Sequence, residues 1–459
     1  MTDDFKQPRG HWHVSALAIA VALAFLAGVP LRAEPISSDR ILSATSADTK
    51  KKYEEVEAAI KKFEQKDTPA TLELLKTAAE KHPELPPARM MLARLLYSAN
   101  QAPLGRATVE QAVNEDPNEP DAYVVLGDIA FQERRFTEAE LLFRRAAELT
   151  ASLADGSPRK RSYLIRSHAG SSAIAESRQK WEEAKKELEA WLKLDNQNAG
   201  AHFRMGRVLF GLKQHDRAYE ELKVASASDA NLPPPPITMG RLHEQDANRD
   251  EASKWMNQAI ATAPKDLKTR LGVGQWLWET GQLDEARKHA EEAAKIDSNS
   301  LEAKLLCGMV ARFRKDYTQA ERWFELAHLQ SPSNVNATNQ LALVLVAQQD
   351  EGKRRRAMEL AQLNVRQFPQ NPEVAATLGW VFYQFRRLDQ AAQALDVAAK
   401  RGSLSSDAAY YMAKISFDLG KANDAERLLK FALNAPGVFA HREDAKTMLD
   451  SMTKSLTSP

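Results

Sequence analysis

LGDIAFQERRFTEAELLFRRAAEL, residues 126–149, sets a glycine at 127, an alanine at 139 and another alanine at 146. The Gly127/Ala139 pair, two small residues twelve positions apart, recurs at Ala93/Gly105, Ser172/Ala184, Gly206/Ala218, Gly240/Ala252, Gly274/Ala286, Gly308/Ala320, Gly379/Ala391 and Ala413/Ala425. A tenth copy, Ala342/Ala357, is stretched by three residues. Seven of the nine intervals between first members are 34 residues, and six of only 19 glycines fall on those ten positions, so composition does not produce the pattern. A period of this size is the mark of a solenoid built from repeated helix–turn–helix units.

Packing explains the spacing. Tyr123, Leu126, Gly127 and Ala130 follow i, i+3, i+4, i+7, one face of a helix, and Ala139, Phe143 and Ala146 form the matching face of the next. Glycine inside a helix costs about 1 kcal/mol relative to alanine, so its repeated use needs compensation. Close approach of the paired helix at Gly127 and Ala139 is the expected source, with Phe143 filling the space toward the neighbouring unit.

From about residue 86 to 439 the chain resembles the tetratricopeptide repeat family, whose 34-residue pattern places a bulky residue at position 4, Leu at 7, Gly or Ala at 8, Ala at 20, a bulky residue at 24, Ala at 27 and Pro at 32. Position 27 is Ala112, Ala146, Ala225, Ala259, Ala293, Ala327, Ala398 and Ala432; Pro117, Pro264, Pro332 and Pro369 close four units. Trp191 and Asn364 depart from the alanine and predict irregular packing there. The resemblance implies an all-α fold, an α-solenoid superhelix of about ten or eleven stacked antiparallel hairpins.

A repeat array grows linearly, so 459 residues form one elongated domain rather than several globular ones. Charged residues make up 27% of the chain but balance to +1, which leaves no basic field for a polyanion and argues against nucleic acid as a partner. The single cysteine, Cys307, occupies a position where Leu usually sits and reads as a small core residue.

Residues 14–31 carry no charge, Lys6 and Arg9 precede them, and Leu31-Arg32-Ala33 offers a small residue before Glu34. Residues 1–33 read as a signal peptide cleaved before Glu34; the alternative is a retained anchor touching the inner membrane through residues 14–31. Both readings place the array outside the cytoplasm, in the periplasm or cell envelope. Residues 34–48 form a polar linker, 49–85 a degenerate first repeat or cap with Leu75 and Ala78 on its second helix, 86–439 the ten units, and 440–459 a capping helix and tail buried through Ala445, Met448 and Met452. Two insertions interrupt the count: residues 152–162, expected as an exposed loop, and the basic run 351–356, placed near a turn and read as a solvated turn in preference to an anionic-ligand patch. Pro233 to Pro236 are tolerated before or at a first helical turn, where amide donors have no partners anyway.

Constellations for chemistry are lacking, and no catalytic, cofactor-binding or metal-binding residue is assigned. HEQD at 243–246 lacks the second histidine of a zinc helix, LGVGQW at 271–276 has no strand before it, and Cys307 has no activating base. Function then falls to the groove that first helices line in this family, through positions 2, 5, 9, 12 and 13. Carried over, those positions hold Arg94, Phe131, Arg207, Phe210, Arg241, Trp278, Arg312, Trp380 and Tyr383, with Tyr97, Phe203, Phe313, Tyr410 and Phe417 beside them. Aromatic and arginine side chains anchor interfaces through contact area and directional hydrogen bonds. An aromatic at position 12 also packs adjacent helices in the repeat pattern, so both readings of the stripe stand. Arg207 and Arg241 are expected one repeat apart on one wall. The Lys and Asn arrangement with which some relatives clamp a terminal carboxylate is absent. The expectation is a non-catalytic envelope scaffold holding a protein or extended peptide; the alternative is a regulatory or substrate-recruiting subunit of an envelope enzyme complex for polysaccharide export, secretion or cytochrome maturation.

Overall fold

A computed structural model describes residues 53–402, 405–435 and 438–457; the expected signal peptide (1–33) and polar linker (34–48) lie outside them. The described residues form 23 α-helices, one short 3-10 turn and no strand, divided into two compact units that meet within the proline run, at Pro235/Pro236. The first unit holds five hairpins: α1 (Glu54–Glu64) with α2 (Thr68–Lys81), α3 (Ala88–Ser98) with α4 (Ala102–Glu115), α5 (Pro120–Gln132) with α6 (Phe136–Leu149), α7 (Pro158–Ser177) with α8 (Trp181–Leu194), and α9 (Ala199–Gly211) with α10 (His215–Ser228). In the second unit, six hairpins follow: α11 (Pro235–Gln245) with α12 (Arg249–Thr262), α13 (Leu267–Glu279) with α14 (Leu283–Ile296), α15 (Leu301–Phe313) with α16 (Tyr317–Gln330), α17 (Val335–Val346) with α18 (Glu351–Gln367), α19 (Pro372–Gln384) with α20 (Leu388–Arg401), and α21 (Ser406–Asp418) with α22 (Ala422–Asn434). A last helix, α23 (Arg442–Thr457), follows α22 and buries Ala445 and Met452.

Each first helix begins on a residue that closes the preceding unit. Asn198, Asp266, Ser300, Asn334 and Ser405 each accept a hydrogen bond from the backbone N–H three residues on, which satisfies an otherwise orphaned donor. Such a cap stabilises a helix by about 1 kcal/mol. Within a hairpin the turn is equally regular. Lys66, Asn100, Arg134, Gln179, Lys213, Ala247, Gly281, Lys315, Arg386 and Gly420 all have positive φ, near +60° for the non-glycines. The residue after each donates its N–H to a carbonyl five residues back, as Gln214 does to Leu209 at 2.9 Å and Asn248 to His243 at 2.9 Å. A left-handed residue followed by this bond ends one helix and reverses the chain in three residues. The hairpin α17–α18 lacks this turn: its three extra residues lengthen α18 at its start, with Asp350 as cap.

The alanines at the repeat's two fixed second-helix positions, such as Ala139, Ala146, Ala218 and Ala225, are fully buried. At Gly206, Gly240 and Gly379 the glycines show the expected close approach of the paired helix, a Cβ there standing 3.0–3.2 Å from the carbonyl of the partner alanine, and they add a second contact. A Cβ on Gly127 would stand 2.7 Å from the Phe143 ring, on Gly206 2.7 Å from Leu222, on Gly308 2.6 Å from Phe324 and on Gly379 2.7 Å from Leu395. The glycine therefore receives the bulky side chain sixteen residues later, and the alanine contributes only a backbone carbonyl, at 3.0 Å for Gly206 and Ala218. Phe143 also fills the space against Gly170 of the next hairpin.

Both insertions differ in part from their sequence reading, although residues 153–157 are loop as expected. Ser157 caps α7 by accepting from Lys160 N, Pro158 occupies its first turn, and residues 158–162 are helix rather than loop. The basic run 351–356 opens α18 instead of lying in a turn; Lys353 pairs with Glu321 at 2.6 Å and Arg356 with Glu325 at 2.9 Å, both on α16. Asn364 is buried in an alanine position and its Nδ2 donates to the Val335 carbonyl at 3.2 Å.

Candidate functional site

In the first unit, the first helices carry a ladder of charge between neighbouring hairpins. Asp121, 0% exposed, accepts from Arg94 at 2.6 Å on one side and faces Arg166 at 3.5 Å on the other. Arg166 also holds Asp128, and Arg159 bonds both oxygens of Glu119 at 3.0 Å. One hairpin further, Glu176 pairs with Arg204 at 2.7 Å, with Arg207 standing 3.9 Å away. Burial holds the Arg207 guanidinium below its ordinary proton affinity, and Glu176 counters it. Asp121, Glu119, Arg159, Arg166, Glu176 and Arg204 were not among the sequence candidates. The available signal was opposite charge on successive first helices: Arg94 in the middle of one and Asp121, 27 residues on, at the start of the next.

Phe131 is half-buried against Phe136, their ring centroids 5.5 Å apart. Phe210 is not a groove residue with a free face. It is buried, its ring stacked on His215 at 4.7 Å, because the turn after α9 folds His215 back over it.

In the second unit, Arg241 on α11 pairs with Glu279 at the end of α13, which also accepts from Gln275 Nε2 at 2.9 Å. Beside Glu279, Trp278 is half-buried, meets Phe313 edge-on at 5.2 Å, and its indole N–H has no partner among the described residues. Arg312, Trp380 and Tyr383, all expected to line an open groove, are buried, at 5%, 7% and 8% exposure. The cause is long-range. Arg312 reaches Asp407 and the Tyr411 hydroxyl, both at 3.3 Å, on α21; Trp380 is stacked on Tyr411 at 4.4 Å and tilted against His441 at 5.6 Å; Tyr383 donates to Asp418 at 2.7 Å. Burial, then that carboxylate, pushes the Tyr383 phenol up to about 12. The partly exposed candidates are thus Arg94, Phe131, Arg207, Arg241 and Trp278. Arg207 belongs to the first unit and Arg241 to the second.

Elsewhere the chemistry is that of packing. Cys307 is buried, and burial, then Glu291, pushes its thiol up to about 12, far from a reactive thiolate. Gly272 receives Ile237 of the preceding hairpin and Gly274 the wall of α14, so LGVGQW is a packing sequence. A cleft of about 280 Å3 among α6, α7 and α8 is lined by charges already paired, Glu140 with Arg178 at 2.5 Å and His168 with Glu187 at 2.7 Å. Among the described residues, no group of three or more His, Cys, Asp or Glu is placed to hold a metal ion, and no helix is long and apolar enough to cross a membrane.

Comparison with known proteins agrees with this unit. Two tetratricopeptide repeat family models match, one at residues 62–123 and 176–235, the other at 120–152. The chain is 29% identical over 158 residues to anaphase-promoting complex subunit 3 of Schizosaccharomyces pombe, covering 34% of this chain and 23% of that one. It is 27% identical over 108 residues to cilia- and flagella-associated protein 70 of Homo sapiens, covering 24% and 10%. The chain thus spans less than a quarter of the length of these curated relatives. Among solved structures it is similar to yeast Tom70 (12% identity, 88% and 95% covered, TM-score 0.39) and to a repeat protein of Thermus thermophilus (18% identity, 41% and 99% covered, TM-score 0.36). With its matched residues and the same hairpin recurring from α1 to α22, the chain is a tetratricopeptide repeat protein.

Proposed function

We propose that the chain is a non-catalytic scaffold that holds a protein or extended peptide against the first helices of its repeats. The observation that carries this reading is Trp278: a large aromatic ring on a first helix, half-buried and set edge-on to Phe313 at 5.2 Å, one residue before the Glu279 that pairs with Arg241. Tryptophan and arginine are among the side chains most enriched in the anchors of protein interfaces, and the part of the Trp278 ring left exposed is what a partner can cover. Arg207 and Phe131 offer the same residue types on first helices of the other unit. The proposed site of action is the bacterial cell envelope, on the strength of the uncharged run 14–31 behind Lys6 and Arg9.

Affinity capture from envelope extracts tests the reading. The parent should recover a partner that the triple variant Arg207→Ala, Arg241→Ala, Trp278→Ala does not, with helicity and melting temperature unchanged between the two. Undiminished capture by the folded triple variant contradicts it. Intact-mass measurement of the envelope-associated protein should show a chain beginning near Glu34; a full-length product confined to the cytoplasm contradicts the localisation.

A further inference from the structure

The second unit carries its own C-terminal segment across the first helices that line its repeats. Val438 lies over the turn between α13 and α14, its Cγ1 3.9 Å from where a Cβ on Gly281 would sit. Phe439 is buried in the same core as Trp380, Tyr410 and Tyr411. His441 lies flat on Tyr410, ring centroids 4.8 Å apart and planes 11° from parallel, with the Trp380 ring at 5.6 Å and Tyr411 edge-on at 5.7 Å. Asp444 faces Lys315, at the turn between α15 and α16, at 3.6 Å. Four short stretches thus meet residues 438–444, the most distant being Gly281, 157 residues before Val438.

The segment has the features of a bound peptide rather than of a connection. A link from α22 to α23 needs only to turn the chain. This one instead offers an aromatic ring, an imidazole two residues later and a carboxylate three residues after that, and each meets a matching surface: apolar core, an aromatic wall, and an ammonium. Burial lowers the proton affinity of the imidazole from its ordinary value, against the opposing pull of Asp407 and of Asp444, whose carboxylate its Nδ1 meets at 3.2 Å. Flat aromatic stacking is tolerant of which ring supplies it. The pair between Lys315 and Asp444 is largely exposed, so it orients the segment without fixing it.

We propose that the wall formed by Trp380, Tyr410 and Tyr411, with Lys315 at its edge, is a peptide-binding subsite that the chain's own residues 438–444 occupy and hold shut. Its external ligand is a peptide that turns into the start of a helix, as residues 440–444 do, with an aromatic residue, a second aromatic or imidazole ring two residues on, and an acidic residue about three further, on the first helical turn. This rests on the scaffold reading above and assigns the ligand chemistry of one part of that face. Because the internal copy is tethered, it acts at an effective concentration on the order of millimolar, and an external peptide competes only when it binds more tightly or when the internal copy is weakened.

The test uses the full chain and a fluorescein-labelled peptide of sequence VFAHREDA, residues 438–445. Fluorescence polarisation should show at least tenfold tighter binding to the variant Phe439→Ala, His441→Ala than to the parent, and addition of Trp380→Ala should abolish the gain. Equal affinity for parent and variant, or no binding to the variant, overturns the proposal. If the double variant loses its fold, hydrogen exchange on the single variant His441→Ala decides. Amides of 442–452 should exchange at least tenfold faster while Tyr410–Ile415 keep their protection; unchanged exchange in 442–452 overturns it. No cellular partner enters this assay, so its failure leaves the capture experiment intact, and failure of capture leaves this one intact.

Discussion

Arg312 and Asp407 are 95 residues apart in sequence and 3.3 Å apart in space. The guanidinium is 5% exposed, so its charge has been removed from water and depends on that carboxylate and on the Tyr411 hydroxyl. Breaking a buried pair by removing one partner costs about 3–5 kcal/mol, more than the pair itself contributes. Asp407→Ala should therefore destabilise the second unit by about 3 kcal/mol in urea unfolding, and Asp407→Ala combined with Arg312→Met should recover most of that loss. Equal destabilisation of the single and double variants would show that the charge is not what the site protects.

Gly274→Leu tests the packing of the hairpin. A Cβ there would stand 3.2 Å from His289 Cβ and 3.6 Å from the Ala290 backbone nitrogen, neither of which can move aside without moving α14. Overpacking of this kind costs about 1–3 kcal/mol. A thermal transition matching the parent's would refute the close approach.

The left-handed turns predict a stabilising change. Ala247 has φ +57°, a conformation that costs a residue with a Cβ roughly 1–2 kcal/mol, whereas Gly281 and Gly420 occupy the same place in their hairpins without that cost. Freedom gained by glycine in the unfolded chain offsets about 0.4–1 kcal/mol of the relief. Ala247→Gly should raise the melting temperature by roughly 1–2 °C on this balance. A lower melting temperature would contradict it.

His289 supplies a pH dependence. Burial, then the neighbouring Arg270, lowers its pKa from the ordinary histidine value, and its Nδ1 accepts from Arg270 Nη1 at 3.2 Å, which needs the neutral ring. A group whose folded pKa is depressed contributes stability above its unfolded pKa, near 6.5, and loses it as pH falls through the folded value. His289→Gln keeps an acceptor for Arg270 and cannot be protonated. The parent should lose more melting temperature than this variant between pH 7.5 and 5; identical slopes would remove His289 from the acid response.

The hairpin was legible in sequence because small residues at Gly127, Ala139 and Ala146 are dictated by contacts inside one repeat, and those recur with its period. The turns were not, since eight of the ten left-handed residues are lysine, arginine, asparagine, glutamine or alanine, and nothing local distinguishes them from solvated polar positions. Placement on a first helix was readable for Trp278 and Trp380 alike; exposure was not, because Trp380 is covered by Tyr411 and His441 from later hairpins. The helical start of α7 was available in Ser157-Pro158, a cap followed by a first-turn proline, but the glycine and charges around it read as loop. Asp121 escaped notice because an acidic residue early in a helix looks like an ordinary favourable end charge, and its burial follows from Arg94 and Arg166 in the adjoining hairpins.

Whether the first helices are the binding face is decided most directly by site-specific photo-crosslinking. A photoreactive phenylalanine analogue is placed at Phe131 or Trp278, on first helices, and at Leu329, a second-helix residue 67% exposed, as the comparison. With the captured partner present, Phe131 and Trp278 should yield a crosslinked band of one defined mass and Leu329 none. Crosslinks from Leu329 alone would place the partner on the second helices and contradict the account.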